Sequence, residues 1–342
     1  MHFVLALVLA ATALLETSAL AQTSRIALEE AMVRGSDPGI QIYVRNKHLS
    51  DMTSFRPERT VLFLHGATFP ASSSFDVALD GMSWMDYIAS RGYDVYLLDL
   101  RGYGRSTRPK EMSEDPDANP PLVNGTTAVK DISSVVEYIL TRRSIAKVNL
   151  IGWSWGATLM ATYATQNPEK VQRLIEYGPP WVCATPTPPP SHIAAYRTLS
   201  RAQVLASWYE GVPEGKKETL MPPGWFDTWA DATWASDPAG ATLSPPVIRA
   251  PNGVLQDIYD FHCAGKPYFD AAKITVPTLL VVAEWDHDTP LYMARTAFPL
   301  LVNSPDKRLV ELPEGGHHIM LEKNRMELFE AVQTFMDEDK QQ

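Results

Sequence analysis

Basic residues are scarce in this chain. Its 342 residues include 30 lysines and arginines against 40 aspartates and glutamates, which gives a formal net charge of −10. No run of basic residues interrupts this acidic composition. The composition argues against a nucleic acid or an anionic membrane as partner, and the acidic excess itself is expected to serve solubility.

Long apolar segments, repeats and metal-ligand patterns are also missing. Beyond the amino terminus, no segment approaches the length of apolar residues that a bilayer requires. No internal repeat or heptad is apparent, so the sequence leaves the oligomeric state unknown. No histidine has metal-ligand spacing with a second histidine, a cysteine or a carboxylate pair, and neither a metal nor a cofactor is implied.

The amino terminus carries an apolar run of signal-peptide length. It extends from Phe3 to Leu15, and Ala19-Leu20-Ala21 matches a small-residue cleavage site before Gln22. No lysine or arginine precedes the run, so an uncleaved anchor stays open as an alternative. We expect residues 1–21 to be a signal peptide, and the mature chain to be secreted or periplasmic and free of the membrane.

Strand and helix patterns alternate along most of the chain. Apolar runs predict strands at Ile40–Val44, Thr60–Leu64, Tyr93–Leu98, Val171–Tyr177, Val276–Ala283 and Arg308–Leu312. Apolar residues recur at helical spacing between Gly125 and Arg143 and again from Leu328 to Met336. This alternation predicts an α/β fold with a mostly parallel central sheet and helices on both faces.

The pentapeptide Gly-Trp-Ser-Trp-Gly at residues 152–156 is the most informative motif. It follows the apolar run Lys147–Ile151, and a helical stripe begins directly after it at Ala157 and ends at Pro168. A serine between such a strand and such a helix lies on a tight, strained turn, and its neighbours must be glycine or very small. The context therefore predicts a nucleophile elbow at Ser154.

Four further segments match motifs of a single fold family, and they occur in the order in which that family places them. They are Leu62–Ala67, Asp99–Ser106, the run Thr278–Asp286 closed by Pro290, and the run Leu312–His317 followed by Glu322. With the elbow they resemble the α/β-hydrolase fold, from residue 38 to residue 340 apart from a divergent middle. The resemblance implies an α/β-hydrolase fold whose triad appears in the order serine, acid, histidine.

The resemblance implies a catalytic triad of Ser154, Asp286 and His317. A serine hydroxyl is a poor nucleophile at neutral pH, so it needs a general base within hydrogen-bond reach. His317 would take the serine proton and return it to the leaving group, while Asp286 would orient the imidazole and stabilise the imidazolium. Activity is expected to rise with pH through the titration of His317, at about pH 6 to 7 if its imidazole has an ordinary pKa.

The acid and the histidine each have competing neighbours. Glu284 and Asp288 flank Asp286, which is favoured because it stands four residues before a proline. His318 follows His317, which is favoured because it follows a double glycine.

The oxyanion hole is implied to consist of two main-chain N–H groups. By motif position these belong to Trp155, just after the nucleophile, and to Ala67, just after His65-Gly66. Thr68 is the alternative for the second donor.

The middle of the chain breaks the strand and helix rhythm. Residues 181–272 are rich in proline and tryptophan, and in this family such an insertion resembles a lid over a catalytic domain of residues 22–180 and 273–342. The lid tryptophans are expected to line an apolar or aromatic pocket together with Trp153, Tyr177 and Trp181. The alternative is that they pack the lid onto the catalytic domain.

The two cysteines, Cys183 and Cys263, stand near the two ends of this insertion. In an exported protein such a pair predicts a disulfide. Closing a loop of about 80 residues would stabilise the fold by roughly 4 kcal/mol. Two free buried thiols are the alternative.

The reaction implied is acyl transfer to water. A serine at the elbow disfavours epoxide hydrolase and haloalkane dehalogenase chemistry, for which this family uses an aspartate. We expect a secreted hydrolase of a small-molecule carboxylic ester with an apolar or aromatic portion, acting through an acyl-enzyme intermediate.

The elbow is also similar to that of proline iminopeptidases, so an aminopeptidase or amidase that holds the substrate amine with Glu210, Glu214 or Glu218 is an alternative. Hydrolysis of a carbon–carbon bond or a lactone would use the same triad.

Overall fold

The computed structural model describes residues 25–338. The predicted signal peptide lies outside these residues. Within them, every helix is too short or too polar to cross a bilayer.

Residues 25–338 contain ten strands. They are β1 (Ile26–Arg34), β2 (Gln41–Leu49), β3 (Thr60–Leu64), β4 (Asp94–Leu98), β5 (Val148–Trp153), β6 (Val171–Tyr177), β7 (Tyr196–Ser200), β8 (Val247–Pro251), β9 (Thr278–Ala283) and β10 (Lys307–Leu312). Eight of them form one sheet in the order β1-β2-β4-β3-β5-β6-β9-β10, and β7 pairs with β8. The pairs β1/β2 and β2/β4 are antiparallel, and the other pairs of the large sheet are parallel.

The same residues contain eleven α-helices. They are α1 (Ala71–Phe75), α2 (Trp84–Ala89), α3 (Gly125–Arg143), α4 (Trp155–Gln166), α5 (Arg201–Trp208), α6 (Lys217–Leu220), α7 (Trp225–Ala235), α8 (Pro238–Ala241), α9 (Gly253–Asp260), α10 (Leu291–Ala297) and α11 (Arg325–Asp337).

The helices cover both faces of the large sheet. Successive side chains of a strand point to opposite faces, and in β3 Leu62 and Leu64 join one core while Val61 and Phe63 join the other. The first core contains side chains of α3, α4 and α10, and the second contains side chains of α2 and α11. Burial on both faces explains the continuous apolar runs of the parallel strands, and the predicted fold class is confirmed.

One strand of the sheet has no counterpart among the predicted strands. The edge strand β1 is exposed or half-buried at all but one position, so its sequence lacks the apolar alternation of a strand with one buried face. It pairs with β2 over nine residue pairs, and main-chain pairing rather than burial defines it.

Residues 181–272 lie outside the large sheet. They contain the two-stranded antiparallel sheet of β7 and β8 and the helices α5 to α9. The predicted disulfide is present: Cys183 and Cys263 are bonded, with their Cα atoms 4.9 Å apart and a sequence separation of 80. It joins the two ends of this segment.

Candidate active site

Ser154 lies between the last residue of β5 and the first residue of α4. Its backbone has φ 56° and ψ −127°, a conformation that costs a non-glycine residue free energy and clusters at functional sites. A Cβ at Gly152 would lie 2.4 Å from the Gly156 carbonyl oxygen, and one at Gly156 would lie 2.4 Å from the His65 carbonyl oxygen. Both positions therefore require glycine, as a nucleophile elbow does.

His317 and Asp286 form a buried pair. Nδ1–H of His317 donates to Asp286 Oδ2 over 2.8 Å, and the Asp286 side chain has no exposed surface. Thr289 fixes both carboxylate oxygens: its main-chain N–H donates to Oδ1 over 2.7 Å and its hydroxyl donates to Oδ2 over 2.8 Å. Glu284, one of the competing acids, instead accepts from the main-chain N–H of Glu314 over 2.9 Å.

Neighbouring carboxylates raise the pKa of His317. Burial lowers the pKa of His317, but the charges of Asp286 and Asp288 and the hydrogen bond to Asp286 outweigh burial and raise this pKa to about 9. Asp288 Oδ2 lies 3.9 Å from His317 Nε2. The pKa of His317 is therefore higher than that of an unremarkable imidazole, first because of Asp286 and second because of Asp288.

Aromatic residues connect Ser154 to the His317 loop. The Ser154 N–H donates to the Tyr177 carbonyl oxygen over 2.8 Å. The Tyr177 hydroxyl and Trp153 Nε1 both donate to the main-chain carbonyl oxygen of His317, the latter over 3.1 Å. Among the hydrogen bonds within residues 25–338, none joins the Ser154 hydroxyl to His317 Nε2, and such bonds often tighten only when substrate is bound.

The aromatic residues expected in a substrate pocket have other contacts in the structure. Trp153 and Tyr177 are buried and support the His317 carbonyl. Trp181 is also buried, packs edge-on against Phe269 at 5.3 Å and donates its main-chain N–H to Met293 Sδ. Their contribution to a substrate pocket stays a prediction.

His65 braces the loop that follows β3. Its Nε2 accepts from the Leu100 N–H over 3.1 Å, so Nδ1 carries the proton and donates to the Gly66 carbonyl oxygen over 2.7 Å. Burial lowers the pKa of His65 to about 4, which keeps the ring neutral. A Cβ at Gly66 would lie 3.0 Å from Ser154 Cβ, so this loop runs directly against the elbow.

The two N–H groups expected in the oxyanion hole belong to Ala67 and Trp155. Neither Ala67 N–H nor Trp155 N–H donates a hydrogen bond within the described residues. The Ala67 carbonyl oxygen is held from the other side by the Tyr103 hydroxyl and by Arg197 Nη2, each over 2.8 Å. Arg197 Nη2 also donates to Thr68 Oγ1 over 2.7 Å, so a residue from the segment 181–272 fixes this loop.

A second residue of that segment reaches the elbow helix. Asp257 on α9 accepts from Trp155 Nε1 over 3.1 Å and from the Gly125 N–H over 2.8 Å. Burial raises the pKa of Asp257 to about 7, against the opposing effect of these two hydrogen bonds. Neither Asp257 nor Arg197 belongs to a short motif, so the sequence alone indicated neither residue.

One tryptophan of the segment 181–272 packs on His318, and a second packs on the neighbouring Phe69. Trp208 stacks on His318 with ring centroids 4.4 Å apart, and Trp229 packs edge-on against Phe69 at 4.8 Å. Burial and the neighbouring His317 lower the pKa of His318 well below its ordinary value. His318 is therefore a neutral, packed ring, whereas His317 is the histidine bonded to a carboxylate.

A cavity of about 880 Å³ lies at the opposite end of the sheet. Its lining includes Lys147, Arg173 and Pro277, at the amino ends of β5, β6 and β9, whereas Ser154 follows the carboxyl end of β5. Ligands of open α/β sheets bind at the carboxyl ends of the strands, so this cavity is not the candidate active site. Residues 25–338 include no group of three or more histidine, cysteine, aspartate or glutamate side chains able to hold a metal ion.

Comparison with known proteins agrees with this arrangement. The family model of the alpha/beta hydrolase fold matches residues 59–324. The chain therefore belongs to the α/β-hydrolase fold family. An epoxide hydrolase of Caballeronia sordidicola is 30% identical over 328 residues, which cover 81% of this chain and 87% of that protein.

Other relatives match over shorter lengths. The chain covers 17% of an abhydrolase domain-containing protein of Caenorhabditis elegans, at 36% identity, and 29% of a probable lipase of Schizosaccharomyces pombe, at 31% identity. Among solved structures, a serine hydrolase involved in carbazole degradation has a TM-score of 0.61 at 16% identity, with 91% of this chain and 99% of that chain covered. An esterase from Exiguobacterium antarcticum has a TM-score of 0.59 at 19% identity, with 91% and 100% covered. These two structures share the fold with this chain.

Proposed function

We propose that this protein is an exported serine hydrolase that cleaves a carboxylic ester with an apolar or aromatic portion. The observation that carries the proposal is the strained backbone of Ser154, whose main chain is tied through Tyr177 to the loop that bears the buried His317–Asp286 pair.

The residues present support a two-step acyl transfer. Ser154 Oγ attacks the ester carbonyl carbon while His317 Nε2 takes its proton, and Asp286 stabilises the imidazolium through Nδ1–H. The N–H groups of Ala67 and Trp155 donate to the developing oxyanion. When the intermediate collapses, the imidazolium protonates the departing alcohol; water activated by the same histidine then releases the acid.

The kind of nucleophile separates this proposal from epoxide opening. The Caballeronia relative is named an epoxide hydrolase, and enzymes of that kind are expected to have an aspartate at the elbow. Here the elbow carries Ser154, which favours acyl transfer.

The carboxylates suggested for an aminopeptidase lend it no support. Glu210, Glu214 and Glu218 are all exposed. Glu214 pairs with Lys217 over 2.6 Å, and Glu210 lies 4.0 Å from His287. Neither contact is with Ser154 or with the His317–Asp286 pair, and we prefer ester hydrolysis over amide hydrolysis.

Export is the remaining part of the proposal. The disulfide between Cys183 and Cys263 suits an oxidising compartment, in agreement with the signal peptide predicted for residues 1–21.

The test is turnover by the chain from Gln22 beside its Ser154→Ala variant. The substrates are para-nitrophenyl esters of increasing acyl length and the matching aminoacyl anilides, with a fluorophosphonate probe to label the serine. We expect ester cleavage to dominate, and both cleavage and labelling to vanish in the variant. Dominant anilide cleavage would establish a peptidase instead, and activity that survives in Ser154→Ala would refute the serine mechanism.

A further inference from the structure

The imidazole of His317 lies between two carboxylates. Asp286 Oδ2 is 2.8 Å from Nδ1, and Asp288 Oδ2 is 3.9 Å from Nε2. The two acids differ in exposure: the Asp286 side chain is fully buried, whereas 52% of the Asp288 side chain is exposed. Only Asp286 has the hydrogen bonds that hold an orienting acid in place.

The position of Asp288 matters because of the ring atom it faces. Nε2 is the atom that must exchange a proton with Ser154 and with the leaving group in the proposed function. A negative charge beside Nε2 favours the charged ring both in the resting enzyme and in the transition state.

The other titratable groups around this ring come from three elements. They are Asp286 in the same loop as Asp288, His318 and Glu322 near the ring in sequence, and Tyr177 at the end of β6. Burial raises the pKa of Glu322 to about 8 and the pKa of Tyr177 well above its usual range. Among the groups that raise the pKa of His317, Asp286 comes first, Asp288 second and Glu322 last.

We propose that Asp288 is a positioning residue that acts on His317 from the Nε2 side and sets the pH at which the proposed general base becomes available. The inference rests on the proposed function, because it assigns His317 the role of base. In this proposal a second carboxylate acts on the histidine of the triad. Its charge lowers the rate at low pH, because it keeps the ring protonated, and raises the rate at high pH, because it stabilises the imidazolium of the transition state.

Removing the Asp288 charge has a two-part signature. In Asp288→Asn the ring gives up its proton more easily, so the acid limb of kcat/KM moves to lower pH, by about 0.7 pH unit for a single exposed charge at this distance. The imidazolium of the transition state loses the same stabilisation, so the high-pH plateau falls by about two- to fivefold. A loss of folding or of substrate binding would lower the whole profile without shifting its limb.

The experiment compares wild type, Asp288→Asn and Glu284→Gln. Glu284 lies in the same loop and loses the same charge in its variant, but its carboxylate contacts the main chain of Glu314 rather than His317. We expect the shift in Asp288→Asn only. It should shrink in 1 M salt, where the screening length is about 3 Å. Asp288→Ser serves as a second variant with the same expected shift.

A direct titration separates this inference from the proposed function. The Cε1–H signal of His317 is followed by NMR over pH in wild type and Asp288→Asn, each also in the Ser154→Ala background. A lower midpoint in Asp288→Asn supports the inference even in a chain without esterase activity. An unchanged midpoint, or an equal shift in Glu284→Gln, would overturn it, while activity that persists in Ser154→Ala would refute only the proposed function.

Discussion

The large sheet and the segment 181–272 approach the same candidate site by different means. The sheet delivers Ser154 from β5, and the loops after β9 and β10 deliver Asp286 and His317. The segment contributes side chains that hold main-chain and aromatic groups next to these residues: Arg197 on Ala67, Asp257 on Trp155 and Trp208 on His318. The sheet is thus expected to supply the reacting groups, and the segment to fix where they stand.

This comparison predicts how far a change in each region affects activity. Changes in the groups delivered by the sheet should reduce the chemical step by orders of magnitude. Changes in the segment should alter stability or reduce the rate more moderately, because its residues act through their neighbours.

After replacement of Ser154 itself, the largest effect is expected for Asp286→Asn. The asparagine would present its amide to His317 Nδ1 and favour the wrong imidazole tautomer, so kcat should fall by about 10⁴. The measurement is steady-state turnover of a para-nitrophenyl ester beside Glu284→Gln, which alters the same loop. A loss of less than about tenfold would show that Asp286 is not the orienting acid.

The elements and residues of the sheet region were largely predictable because local rules determine them. The helix between Gly125 and Arg143 has the predicted bounds, and the strand Thr60–Leu64 is continuous in sequence and buried on both faces. The elbow was predictable because only glycine fits at residues 152 and 156.

The hydrogen bonds that residues 181–272 form with the candidate site were not predictable from motifs. Arg197 reaches an oxygen 130 residues away in sequence, and Asp257 reaches Trp155 102 residues away. Such contacts depend on how short, proline-rich elements pack onto the sheet, and no periodicity encodes this packing. The distance between Asp288 and His317 Nε2 likewise depends on the meeting of two separate loops.

Within the segment, the largest expected effect is loss of the disulfide. Replacing Cys183 and Cys263 together by serine should lower the free energy of unfolding by roughly 4 kcal/mol, because the unfolded chain regains the freedom of a loop of about 80 residues. For a chain of this size the melting temperature should fall by roughly 6 °C. Thermal unfolding measures this, and wild type in a reducing agent should approach the variant. Equal melting temperatures would show that the bond adds nothing to stability.

A smaller effect is expected where the segment holds the oxyanion loop. Arg197→Met removes one of two donors to the Ala67 carbonyl oxygen, so the loop should lose its fixed orientation and kcat should fall about 10- to 100-fold with little change in KM. Arg201→Met is the control, because Arg201 forms an exposed ion pair with Asp231 and lies 5.5 Å from the centroid of the Trp234 ring, with no hydrogen bond to Ala67 among the described residues. Restored activity in Arg197→Met on addition of guanidinium at millimolar concentration would confirm the role, and equal kcat values in the two variants would contradict it.

The smallest expected effect comes from two tryptophans, one in each region. Trp155 on α4 and Trp208 on α5 are each 2% exposed, so changing either to phenylalanine removes the same atoms from an equally buried site. They differ in one respect. Trp155 Nε1 donates to Asp257, whereas Trp208 Nε1 is buried without a hydrogen-bond partner among the described residues.

The difference between the two variants therefore isolates the indole N–H. Trp155→Phe should be the less stable by about 1 to 2 kcal/mol, because it loses a buried hydrogen bond and leaves Asp257 with one donor fewer. Trp208→Phe removes an unpaired buried donor, and relief of its desolvation offsets part of the lost packing. Urea unfolding at pH 7 gives the midpoint concentration for each variant. The midpoints can be compared directly when the unfolding free energy depends equally on urea concentration in both variants. A lower midpoint for Trp208→Phe would mean that the Trp208 N–H has a hydrogen-bond partner such as a buried water.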